Sequence, residues 1–211
     1  MSANREIEIK LRIRDPKKLI ARLRKLGARK IACKFEQNTL FDTPDCQLQK
    51  RQSILRIRRE HNISSGAKSA KNRGRQKAPE SLLTFKALPK GRGATGKYKE
   101  REEIECRVAD GAQFARILDG LGMHPWFRYE KYRTKYQIAA VPGLHIDLDQ
   151  TPIGVFLELE GPKRSIDQTA KALGYSPLEY VVQSYLELFK AECSRTDAAF
   201  TDMVFKTKKK R

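Results

Sequence analysis

The sequence predicts an α+β fold in which eight β-strands close into a barrel and helices pack on its outside. Three observations predict it. Apolar and charged residues alternate from Glu6-Ile7-Glu8-Ile9-Lys10 through Leu11, Arg12, Ile13 and Arg14, the period of two of a strand. At ~3.4 Å per residue, like-facing side chains on such a strand stand ~7 Å apart. The same alternation returns along the chain, each time with one charged and one apolar face. Amphipathic helices between the strands can cover the apolar faces. Taken alone, each strand is an ordinary half-buried strand with a wet face. Seven of them, with helices to cover their apolar sides, turn the charges inward instead.

The strands are expected over 5–14, 34–43, 53–60, 81–88, 97–108, 128–138, 143–149 and 154–160. Asp15 and Pro16 form a cap and first turn for a helix carrying Leu19, Ile20, Leu23 and Leu26 and stopped by Gly27. Asp110 opens a second helix with Phe114, Ile117, Leu118 and Leu121, stopped by Gly122. Ser165 opens a third that ends at Gly174, and Pro177 starts a longer one with Tyr180, Val181, Tyr185, Leu186 and Phe189. Glu-aliphatic-Glu, helix and Leu-Gly recur at 6–27, 103–122 and 158–174, so the chain reads as a repeated strand–helix unit. A repeat of this kind argues for one pseudosymmetric domain over residues 1–195.

Lys and Arg number 44 against 25 Asp and Glu in 211 residues, a formal charge of +19. Such an excess favours a polyanionic partner: nucleotide, polyphosphate, nucleic acid or acidic membrane. Cys33, Cys46, Cys106 and Cys193 show no metal-ligand spacing and fit reduced thiols better than a disulfide framework. No apolar stretch reaches membrane-spanning length, so a cytoplasmic protein is expected. Residues 61–79 are rich in Ser, Gly, Lys and Arg and predict a flexible basic loop. Residues 196–211 predict a basic, disordered tail; that tail and the loop are the places where nucleic acid could bind. The apolar face of the last helix leaves room for a homodimer.

Inward faces would collect Arg56, Arg58 and Glu60; Thr84 and Lys86; Lys99, Arg101, Glu103 and Glu105; Lys131, Arg133 and Lys135; His145, Asp147 and Asp149; and Glu158 with Glu160. An eight-stranded barrel has room for side chains or one small ligand. Inward cations repel one another unless a polyanion enters, and inward carboxylates are hard ligands for Mg²⁺ or Mn²⁺. Together these are equipment for phosphoryl or nucleotidyl transfer. There is no GxxxxGK[ST] loop, the glycines at 91–96 read as plain loop, and His61, His124 and His145 form no zinc cluster. His145 is read as a structural strand residue before it is read as a base.

The ordered set resembles the CYTH superfamily, the triphosphate tunnel metalloenzymes, which include class IV adenylate cyclases, thiamine triphosphatases, inorganic triphosphatases and fungal-type RNA triphosphatases. Glu6, Glu8 and Lys10 match its ExExK signature, Leu55-Arg56-Ile57-Arg58 its LRxR strand and Thr84-Phe85-Lys86 its TxK strand. Arg101, Glu103 and Glu105 resemble RxExE, Lys131 and Arg133 the basic KxR strand, Asp149 the acidic strand, and Glu158 and Glu160 the ExE strand. ExExK alone is weak; the ordered set, spanning residue 6 to about 190, is specific.

The resemblance implies an antiparallel triphosphate tunnel. Lys10, Arg56, Arg58, Lys86 and Arg133 become candidates for gripping and activating the phosphates, with Arg101 and Lys131 as further substrate contacts. Glu6, Glu8, Glu103, Glu105, Asp149, Glu158 and Glu160 become metal-ligand candidates for Mg²⁺ or Mn²⁺. Glu130-Lys131-Tyr132-Arg133 leans towards the class IV adenylate cyclases, which convert ATP to cyclic AMP and pyrophosphate. Hydrolysis of an inorganic or organic triphosphate is the alternative, and a non-catalytic RNA- or polyphosphate-binding barrel the second.

Overall fold

The computed structural model describes residues 4–63, 81–89 and 96–206. All eight expected strands are present: β1 (Asn4–Ile13), β2 (Arg29–Asp42), β3 (Ile54–Asn62), β4 (Ser81–Ala87), β5 (Lys99–Val108), β6 (His124–Gln137), β7 (His145–Thr151) and β8 (Gly154–Glu160). They close into a barrel in the order β1-β5-β4-β3-β2-β6-β7-β8, and each pair is antiparallel. The longest pairing, β2 with β6, starts several residues earlier on both strands than the alternation suggested and is bulged at Lys30/Ala32 and Leu40/Phe41.

Parity sorts the two faces of the wall. On β1, Ile9, Leu11 and Ile13 point outward and are buried with Leu144, Ile146, Leu148, Leu157 and Leu159 from β7, β8 and the turn before β7. Two helices cover this belt: α1 (Pro16–Lys25) with Leu19 and Leu23, and, after the four-residue α2 (Gln47–Lys50) and α3 (Gly111–Gly120), α4 (Lys163–Ala172) with Ile166 and Ala170. Leu118 of α3 packs on Phe41 and Ile57. The helices therefore allow the barrel to keep charge inside by burying its outside.

The repeated helix stops share one geometry. Gly27, Gly122 and Gly174 have φ of +77°, +80° and +83°, the left-handed cap conformation glycine adopts without penalty. Ala28, Met123 and Tyr175 then donate back to the carbonyls of Leu23, Leu118 and Ala170 at 2.9 Å in each case, the six-to-one bond of a Schellman cap. The strand–helix repeat is thus real down to its caps.

Five expectations need correction. The third helix begins at Lys163, with Pro162 as cap, rather than at Ser165. The helix expected from Pro177 is split: a 3-10 turn over Pro177–Glu179, an extended stretch in which Val181 pairs with Lys10 of β1, then α5 (Tyr185–Thr196). Ser184 and Glu187 form a capping box that restarts the helix. The expected tail is ordered as far as Lys206, because the N-terminal half of β6 extends beyond β7 and leaves an open edge. Met203 fills it, donating to Arg128 O at 2.9 Å and accepting from Glu130 N at 3.0 Å. The loop expected over 61–79 starts later, since His61 and Asn62 complete β3; its remainder, with Gly91, Gly93 and the final basic residues, lies outside the described residues. Finally, the apolar side of α5, with Leu186, Leu188 and Phe189, packs against Leu40, Phe127 and Phe156 at one end of the barrel, so this chain itself covers the surface read as a dimer face.

Candidate active site

The lumen is a cavity of about 350 Å³, at the small end of ligand sites. Nine Lys or Arg side chains and eight Asp or Glu side chains line it. The near balance changes the expectation of mutually repelling cations: eight of the nine, Lys10, Lys34, Arg56, Arg58, Lys86, Lys99, Lys131 and Arg133, already lie within 4 Å of a carboxylate.

β1 supplies Glu6, Glu8 and Lys10, all buried. Register places Lys10 opposite Glu158, and its ammonium lies 2.9 Å from Glu8 and 3.5 Å from Glu158. Glu8 also takes Lys99 at 2.6 Å. Burial works to raise the Glu8 pKa, but Lys10 and Lys99 outweigh it and hold the carboxyl well below its usual range. Lys86 donates to both oxygens of Glu6, at 2.7 and 2.6 Å, and reaches Glu103 at 3.2 Å.

A second group forms the basic wall. Arg56 donates to Thr84 at 3.0 Å and Tyr129 at 3.3 Å, and Arg58 donates to Asn38 at 2.9 Å. Arg133 grips Asp149 through Nε and Nη2 at 2.7 and 2.6 Å, meets Asp147 at 2.9 Å and also donates to Glu158. Lys131 donates to Asp149 at 2.8 Å, and Tyr185 of α5 adds a third donor there, also at 2.7 Å. The Tyr185 ring lies beneath two ammonium groups, 5.4 Å from Lys10 and 5.0 Å from Lys131. These cation–π contacts explain why an aromatic from outside the sheet enters the barrel.

At the other extreme, carboxylates crowd with too little cation. Burial, with Glu6 and Glu8 nearby, pushes Glu160 up to about 8. Burial raises Glu103 to about 7; Lys86 opposes the shift while Glu6 and Glu105 add to it. Glu105 is held low against burial by the Thr84 hydroxyl, which donates to it at 2.7 Å. Repulsion among Glu6, Glu8, Glu103 and Glu160 shows hard oxygen donors close enough to share one field, the donor chemistry a divalent cation suits. As placed, however, no group of three His, Cys, Asp or Glu side chains among the described residues is arranged to hold a metal ion; Lys86 and Lys99 hold two of these carboxylates instead.

The structure brings Lys10, Arg56, Arg58, Lys86, Lys131 and Arg133 to the lumen with Glu6, Glu8, Glu103, Glu105, Glu158 and Glu160. Arg101 instead lines a separate groove with Trp126, Glu187 and Lys190. Asp149 is fully buried, its oxygens taken by Lys131, Arg133 and Tyr185, which is the position of an anchor for cations. His145 lies at the lumen wall opposite Glu160. Lys34, Glu36 and Asn38 of β2 and Tyr129 of β6 were missed. Their signal was in plain view: they have the same parity as Leu40 on β2 and as Lys131 on β6.

The sequence matches the CYTH domain over residues 4–185. The chain belongs to the CYTH family. Membership implies a divalent cation as cofactor. A Methanocaldococcus jannaschii protein, provisionally named an adenylate cyclase, is 28% identical over 193 residues, 87% of this chain and 97% of that protein. Among solved structures, a Vibrio parahaemolyticus protein also provisionally named an adenylate cyclase superposes with a TM-score of 0.69 at 16% identity, over 89% of this chain and 99% of that one. A Hippeastrum protein, provisionally an adenylyl cyclase and described as having a dominant triphosphatase activity, gives 0.58 at 20% identity, over 92% and 97%. These CYTH-type structures share the fold. Among the described residues no helix is long and apolar enough to cross a membrane.

Proposed function

We propose that this CYTH chain is a divalent-metal-dependent enzyme acting on a triphosphate in the barrel lumen, cyclising ATP to cyclic AMP with release of pyrophosphate. One observation carries the reading: a basic wall and a crowded carboxylate set share a single small cavity. The name of the Methanocaldococcus jannaschii relative supports the cyclase form.

Lys10, Arg56, Arg58, Lys131 and Arg133 bind the phosphate oxygens and neutralise charge as it moves to the leaving group. Glu6, Glu8, Glu103 and Glu160 are the residues that would hold Mg²⁺ or Mn²⁺, which would supply Lewis-acid polarisation of the phosphates. Lys86 and Lys99, which pair with Glu6 and Glu8 here, would be free to meet phosphate wherever those carboxylates held a cation. Lumen walls hold the ribose so that its 3′-oxygen faces the α-phosphorus; the hydroxyl proton passes to a lumen carboxylate and pyrophosphate leaves.

The Hippeastrum protein's described activity favours a second reading, in which water attacks the terminal phosphate in the same shell. Incubation of the chain with ATP and with tripolyphosphate, each with Mg²⁺ or Mn²⁺, separates them by product. Cyclic AMP plus pyrophosphate is expected. Orthophosphate points to hydrolysis. No turnover of either compound removes both enzyme readings and leaves a polyphosphate- or RNA-binding barrel.

A further inference from the structure

Glu36 is fully buried, and neither of its carboxylate oxygens receives a hydrogen bond from a protein donor. It points into the barrel from β2 but does not reach the cavity, which three cations lying over it do line. Arg58 Nε lies 3.4 Å away, Lys131 Nζ 3.6 Å and Arg133 Nε 3.8 Å. Those separations give Coulombic attraction without a hydrogen bond. Each of the three atoms donates elsewhere: Arg58 Nε to Asn38 at 2.9 Å, Lys131 Nζ to Asp149 at 2.8 Å and Arg133 Nε to Asp149 at 2.7 Å.

Two carboxylates therefore flank this layer, and they act differently. Asp149 takes the donors and fixes where the cations point. Glu36 takes no donor and contributes only charge. Burial opposes its ionisation, yet Arg58, Lys131, Arg133 and Arg56 keep it ionised. A fixed anion in a poorly screened interior subtracts from the positive potential that a phosphate meets on the other side of the layer. Because it occupies none of the layer's donors, its charge would act on a bound anion without altering the contacts available to that anion.

We infer that Glu36 is a built-in counter-anion that limits how tightly Arg58, Lys131 and Arg133 hold a polyphosphate, so that the pyrophosphate product can leave. It is a positioning residue of charge rather than a catalytic one, and the inference rests on the reading of the lumen as a triphosphate site. If Glu36 only braced the wall, its removal would loosen the cations and weaken anion binding. If it tempers them, its removal tightens binding. The two roles predict opposite signs.

Calorimetric titration of tripolyphosphate and pyrophosphate into the full chain with Mg²⁺ tests this, using the unaltered protein, Glu36→Gln and Glu36→Asp. Glu36→Gln keeps the side chain's size and removes its charge, so both dissociation constants are expected to fall about tenfold or more. Glu36→Asp keeps the charge one methylene further from the cations and should tighten binding by less. In turnover, KM and kcat should fall together in Glu36→Gln as pyrophosphate inhibits more strongly. Unchanged or weaker binding by a Glu36→Gln protein with an intact melting transition overturns the inference. Should that variant fail to fold, unchanged or weaker binding by Glu36→Asp does the same. Failure of the unaltered chain to bind either anion overturns the lumen reading and this inference with it. Binding by the unaltered chain without tightening in the variants overturns this inference alone.

Discussion

At the scale of single residues, the lumen is organised by buried ions that hold one another in place. Lys10 lies between Glu8 and Glu158, so Lys10→Ala leaves two buried carboxylates without their shared cation. Breaking a buried pair in this way costs about 3–5 kcal/mol, and the melting temperature should drop accordingly. Truncating one charged contact to a phosphate costs about 2 kcal/mol or more, so tripolyphosphate affinity should weaken roughly 30-fold in calorimetry. Unchanged affinity in the folded variant removes Lys10 from the phosphate site. Glu6 accepts from Lys86 through both oxygens; Glu6→Gln keeps the side chain's size and one of those acceptors while removing the charge a divalent ion needs. Metal-dependent turnover should fall by more than the roughly 10–100-fold typical of changes just outside a metal's own ligands, with the circular dichroism spectrum unaltered. Retained turnover would mean that Glu6 does not hold the ion.

At the scale of elements, the strands were legible because period two and a charged inner face reinforce each other, as on β1 and β8. The helix caps were equally legible, since Gly27, Gly122 and Gly174 each follow a leucine at the end of an apolar stripe. The break before α5 was not. Tyr180, Val181 and Tyr185 fit helical spacing, but Val181 exchanges two backbone hydrogen bonds with Lys10, at 2.9 and 2.8 Å, and a tertiary pairing of that kind leaves no trace in local periodicity. For the same reason the site residue Tyr185 was read as part of a helix face. The C-terminal strap, residues 197–206, was hidden by the run of basic residues that follows it and by its lack of any period, although Phe200, Met203, Val204 and Phe205 are apolar and Met203 is buried against the apolar end of the barrel. Met203→Ala should destabilise the protein by about 2–5 kcal/mol, the usual cost of emptying a buried Met site, as read from urea denaturation. A change below about 0.5 kcal/mol would show that the strap merely rests on β6.

At the scale of the whole molecule, the carboxylate end of the lumen links stability to pH. Glu103 at about 7 and Glu160 at about 8 bind protons more tightly folded than unfolded, where a glutamate titrates near 4.5. The folded state therefore carries the extra protons between those values, and stability declines as pH rises through that window. Without added metal the melting temperature should fall from pH 5 to pH 7.5, and Mg²⁺ should reduce the fall by replacing protons with a bound cation. A flat or rising profile without metal contradicts the crowding. The barrel's seam carries a further consequence, for how the molecule is made. β1 is the first strand to leave the ribosome, yet one of its two neighbours is β8, and about 150 residues of chain separate Lys10 from its partner Glu158. Closing so long a loop is slow, so β1 must wait with half of its backbone unpaired until nearly the entire domain has been synthesised. During refolding, amides of β1 facing β8 should gain protection from hydrogen exchange later than those of the β3–β4 pairing. Simultaneous protection would mean that the ring shuts in one step. Until the seam forms there is no lumen, and the ions gathered there meet only as the last strands arrive.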